Sequence, residues 1–157
     1  MAVLANRIGS RSRNSLISIA VEGQKDVERT LEDLAPREAR NIMRRVVTKI
    51  AALVRNDMRA AAKSVVKKRT GRLFKAIRSK REKGRQDVFE ASVTVNLKAG
   101  SGVTAPHWHF IEFGTVKQKA TPFIAPTVKK WEPKLPRVYR EEFGRQLEKQ
   151  LAKRAKK

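Results

Sequence analysis

The sequence predicts an α+β fold: a small antiparallel sheet packed against one long helix, with a C-terminal helix and basic flexible termini. Three observations carry the prediction. Ile42, Val46, Ile50, Leu53, Val54, Met58, Ala61 and Val65 recur at three- and four-residue steps, the stripe of an amphipathic helix. Phe89, Ala91, Val93, Val95 and Leu97 alternate with Glu90, Ser92, Thr94, Asn96 and Lys98, so a strand with one face on a core and one in water is expected. The aromatic run His107-Trp108-His109-Phe110-Ile111-Glu112-Phe113 stops at Gly114 and reads as its partner strand.

Taken in order, Ile17, Ile19 and Val21 alternate with Ser18 and Ala20 and end at Gly23, which predicts a short first strand. Val27, Leu31 and Leu34 predict a short amphipathic helix that ends before Pro36. Pro36 suits a first helical turn, where its missing donor is not needed. From there a run free of Gly and Pro predicts about seven or eight turns. Thr70-Gly71 breaks that helix, because glycine accepts the left-handed backbone of a helix end. Leu73, Phe74 and Ile77 then begin a short helical piece. Ala99-Gly100-Ser101-Gly102 is a turn or loop. Pro122 and Pro126 bracket Phe123-Ile124 and limit the entropy of the loop that holds them. Pro133 and Pro136 restart the chain into a last helix with Tyr139, Phe143, Leu147 and Leu151.

The 157 residues suit one compact domain with extended ends. We divide them into a flexible basic N-terminal arm (1–15), a single α+β domain (16–148) and a basic C-terminal tail (149–157). The start, with Arg7, Arg11, Arg13 and several serines, imitates a transit peptide, but its apolar residues form no helical stripe. No apolar run approaches the ~20 residues that cross a bilayer, and the chain reads as intracellular and soluble. It has no cysteine, which excludes disulfides, thiol catalysis and cysteine metal sites.

Lys and Arg number 37 against 15 Asp and Glu, a net charge of +22. Such an excess repels itself and calls for a polyanion or an acidic protein surface. It is densest where Lys63, Lys67, Lys68, Arg69, Arg72, Lys75, Arg78, Lys80, Arg81, Lys83 and Arg85 face the single acid Glu82. This block is either a phosphate-contacting surface or a solvated face for an acidic neighbour. Its one aromatic, Phe74, argues against stacking on single strands, and any DNA contact is expected to be blind to sequence.

Four short motifs stand in order: Val21-Glu22-Gly23; Thr70, Gly71 and Leu73; Phe110 with Glu112, Phe113, Gly114 and Thr115; and Pro122, Phe123 and Pro126. In this order the chain, from about Ser18 to Lys149, resembles the tail-completion or head–tail joining proteins of long-tailed double-stranded DNA phages, the gene-product-ten-like neck family. Ala76-Ile77 departs from a serine-isoleucine pair common there. The resemblance implies a structural virion protein of the neck, assembled in the host cytoplasm. Its copies would form a homo-oligomeric ring, sixfold or twelvefold, through which double-stranded DNA passes. Its partners would be a head-closure or connector protein and a tail tube or tail terminator protein. Phe110, Phe113 and Phe123 would be the apolar anchors between subunits.

Catalysis is not expected. On a strand His107 and His109 would share a face as two metal ligands could, but Ile111 and Phe113 share it too, Glu112 points away, and no third ligand is evident. Packing or interface roles suit Trp108, His109 and Phe110 better. Glu38, Asp57, Glu82, Asp87, Glu90, Glu112, Glu132, Glu141 and Glu142 are scattered, whereas a metal-dependent nuclease clusters its carboxylates. No phosphate-binding glycine loop is present, and no cofactor or metal is expected. The other functional class that the charge supports is a sequence-nonspecific nucleic-acid-binding protein, nucleoid- or ribosome-associated.

Overall fold

The computed structural model describes residues 2–5, 15–21, 36–66, 71–82, 89–95, 105 and 107–155. Its longest element is helix α1 (Pro36–Val65), which has Pro36 as its first residue, as expected from the sequence. Ile42, Val46, Ile50, Val54 and Met58 are buried along one side, Leu53 and Ala61 are half-buried, and Val65 is exposed. Gly71 adopts the left-handed conformation (φ 68°) that the sequence anticipates, but it stands before the short helix α2 (Arg72–Ala76), beyond the last residue of α1. Ile77 opens a strand, β3 (Ile77–Arg81), instead of extending the helical piece.

β4 (Phe89–Val95) is the strand read from the alternation. It pairs antiparallel with β3, Ile77 opposite Val95 and Arg81 opposite Ala91. On its other side it pairs antiparallel with β2 (Ser15–Val21), the expected first strand, with a register irregularity between Ser15 and Ile17. β1 (Ala2–Ala5) adds to β2, and the sheet order is β1-β2-β4-β3. Ala91, Val93 and Val95 are buried as the two-residue period requires, but on the opposite face Ser92 is buried as well, between the half-buried Glu90 and Thr94, so that face is only partly open to water. The Ser92 hydroxyl donates to Glu82 Oε1 at 2.7 Å, which satisfies it.

The run expected as the partner strand of β4 is helix α3 (Trp108–Phe113). Helical spacing turns Ile111 and the carboxylate of Glu112 inward, a combination that a strand would split between two faces. α4 (Ile124–Trp131) and α5 (Leu135–Arg154) complete the chain, with Pro136 in the first turn of α5. Phe123, Ile124, Trp131, Leu135, Tyr139 and Phe143 join α1 and the sheet in one core. Each such side chain contributes roughly 1.5–3 kcal/mol of burial. α5 meets α1 through Tyr139, whose hydroxyl lies 3.3 Å from Met43 Sδ, and through the Arg154–Glu38 ion pair.

Two expectations of flexible termini meet regular structure: Ala2–Ala5 is an edge strand, and α5 runs through Lys149 to Arg154. The short helix read from Val27, Leu31 and Leu34, the Gly100 loop and Thr70 lie outside the described residues. No described helix is long and apolar enough to cross a membrane.

Candidate functional site

The motif residues from Phe110 to Pro126 converge on one construction, helix α3, a tight turn and the start of α4. Glu112 is buried and aims its carboxylate at the first turn of α4. Its Oε2 accepts the backbone N–H groups of Phe123 (2.9 Å) and Ile124 (3.0 Å), and its Oε1 accepts that of Ala125 (3.1 Å). These donors have no partner within the helix, and a negative charge there also meets the positive end of the helix dipole. Glu112 therefore caps α4 from eleven residues upstream in the chain.

Gly114 ends α3 with φ 77° and ψ −177°, a region open in practice only to glycine. A Cβ there would lie 2.8 Å from both Ala120 N and Gln118 O. Thr115 and Gln118 then exchange backbone hydrogen bonds (2.8 and 3.2 Å), and Thr121 N–H donates to Ile111 O at 2.8 Å, which closes the turn back on α3. Phe123 is buried in the core, so its expected role as a subunit anchor gives way to an internal one. Pro122 and Pro126 are exposed.

What this frame presents to solvent is apolar. Phe110 is 42% exposed, Phe113 67% and Val116 fully. Phe110 packs against His109 (ring centroids 4.0 Å) and stacks with His107 (6.0 Å), and Phe113 lies 6.4 Å from the half-buried Trp108. Glu112, Gly114 and Thr115 thus make the fold, while Phe110 and Phe113 stand free of the core. Val116 belongs with them, and the sequence signal for it is a β-branched apolar residue set inside the polar turn Thr115-Val116-Lys117-Gln118.

Near the far end of α1, Asp57 Oδ2 accepts from Lys130 Nζ (2.9 Å) and from Trp131 Nε1 (3.0 Å), which ties α4 to α1. An open groove of about 230 Å³ lies beside this pair, lined by Ala60, Ala61, Ser64, Pro126 and Thr127. Tyr139 is fully buried, and burial pushes its phenol up to about 12. His107 and His109 fall on a helical turn, where residues two apart do not face each other, so the shared face expected of them is not formed. Among the described residues, no three acids or histidines come together to hold a metal ion.

The basic block is spread over several elements. Lys63 ends α1, Arg72 and Lys75 lie in α2, and Arg78, Lys80 and Arg81 lie in β3, all exposed. Lys80 pairs with Glu82 at 3.5 Å. Lys67, Lys68, Arg69, Lys83 and Arg85 are outside the described residues.

Compared with known proteins, residues 25–114 match the family model described as "Bacteriophage HK97-gp10, putative tail-component". This is more than half of the chain, and it takes in Gly71, Leu73, Phe110 and Glu112 to Gly114. The Val21-Glu22-Gly23 motif, Thr115 and the Pro122-Phe123-Pro126 segment fall outside it. No curated relative and no solved structure matches.

Proposed function

The chain belongs to the HK97-gp10-like tail-component family, and from that premise we propose that it is a structural virion subunit joining phage head to tail. In this reading copies of the protein form a neck or tail-completion ring around the DNA passage. The observation that carries the reading is the exposed Phe110, Phe113 and Val116 surface, held out by the Glu112 cap and the Gly114 turn. Aromatic side chains of this kind are enriched at subunit interfaces, and clustered on a rigid frame they form a ready contact. The role needs positioning and contact, not a chemical step.

Deleting the coding sequence from a particle-producing strain tests the proposal. Filled heads and finished tails should accumulate apart, and the wild-type protein supplied in trans should restore joined particles. Joined particles formed in its absence would end the reading.

A further inference from the structure

Helix α1 has a second face that the core does not use. Arg44, Arg45, Lys49, Arg55, Arg59 and Lys63 fall within less than half of its circumference, opposite Ile42, Val46, Ile50 and Val54. From Arg44 to Lys63 the row extends about 28 Å along the axis, at roughly 1.5 Å per residue. Among the described residues none of the six has an acidic partner. The one acid in this part of the helix, Asp57, is engaged by Lys130 and Trp131.

Two of these side chains are already held in place. Arg59 donates through Nε and Nη2 to Ile77 O (3.0 and 2.6 Å), and Arg55 donates through Nη1 to Ser79 Oγ (3.2 Å). Partial burial, then the neighbouring charges of Arg55 and Arg78, lower the Arg59 guanidinium from its ordinary value. Arg55 and Arg59 thus lie close together with no acidic partner among the described residues, and an anion would relieve them.

We propose that this row on α1 is the surface on which the protein meets the phosphate backbone of double-stranded DNA. The proposal rests on the neck reading only in taking a duplex as the polyanion. A protein partner fits the row less well, because the core of a subunit interface is depleted of charge and anchored by aromatic or apolar side chains, which this face lacks. Between the cations this face offers only Thr48, Ala52 and Asn56. A duplex carries one charge per ~1.7 Å of its axis, so a straight cationic row about 28 Å long meets several phosphates and reads no bases.

The test compares the full chain with two triple variants of equal net charge in duplex binding at graded salt. One carries Arg44→Gln, Arg45→Gln and Lys49→Gln. The control carries Arg140→Gln, Lys149→Gln and Lys153→Gln on α5, all exposed. The α1 triple should flatten the dependence of log affinity on log salt by up to about 2.7, at roughly 0.9 per phosphate contact, while the control keeps the wild-type slope. A Lys49→Gln, Lys63→Gln double variant should lose up to about 1.8 and serves if the triple alters the helical spectrum. Equal flattening in both triples, no duplex binding by the wild type, or tighter binding of polyglutamate than of duplex at equal charge would overturn the proposal. Sedimentation of the same samples reports assembly separately. Assembled wild type that ignores duplex sinks the α1 surface alone. Unassembled wild type with binding that depends on the α1 row supports the surface and counts against the ring.

Discussion

Glu112 is the residue on which the aromatic surface depends. Replacing it with Ala strips three backbone donors of their acceptor, and a loss of about 2–3 kcal/mol is expected from denaturant unfolding. Glu112→Gln keeps one accepting oxygen and should lose less; an Ala variant as stable as wild type would refute the capping role. Gly114→Ala should cost roughly 1–3 kcal/mol, from the glycine-only backbone region and the 2.8 Å approach to Ala120 N and Gln118 O, read as a lowered Tm. Tyr139 is the sole tyrosine, so its phenolate absorbance reports one site. Its folded value near 12 lies above the ordinary 10, so folding favours the neutral phenol. That stability is intact below pH 10 and is lost as pH rises from 10 through 12. Tyr139→Phe should remove this alkaline loss, and a phenolate midpoint at 10 in the folded protein would contradict the burial. The sequence marks Glu112 and Gly114 as special, but the capping role depends on where the start of α4 comes to lie, and no spacing rule carries that.

Among the elements, α1 and β4 were legible because each sustains one hydrophobic period over many residues. β3 was not. It is an edge strand of Ile77-Arg78-Ser79-Lys80-Arg81, and the charges that suit an exposed edge erase the alternation that would reveal it. α3 is six residues long, too short for a helical period to separate from a strand, and its aromatics suit strands by propensity. Contact with the start of α4 decides the outcome. The link between α1 and α4 makes a prediction at this scale. Asp57→Ala leaves the Trp131 indole N–H without its acceptor and should cost about 1–3 kcal/mol, with a shift in tryptophan emission. Unchanged emission and unfolding would show that packing alone holds α4.

For the whole molecule, the fold divides its labour. A core shared by α1, the sheet, α4 and α5 supports two outward surfaces of opposite chemistry, the apolar Phe110–Phe113–Val116 surface and the cationic face of α1. The +22 charge announced a polyanion or acidic mate from the sequence alone, but it pointed to the Lys63–Arg85 block, where charge is densest along the chain. The described members of that block divide among α1, α2 and β3, and a further row of cations aligns along α1. The most direct measurement is sedimentation velocity of the full chain beside a Phe110→Ser, Phe113→Ser variant. The account predicts a closed assembly of one fixed mass for the wild type and a folded monomer for the variant. A wild type that stays monomeric at high concentration, or a variant that assembles unimpaired, would contradict it.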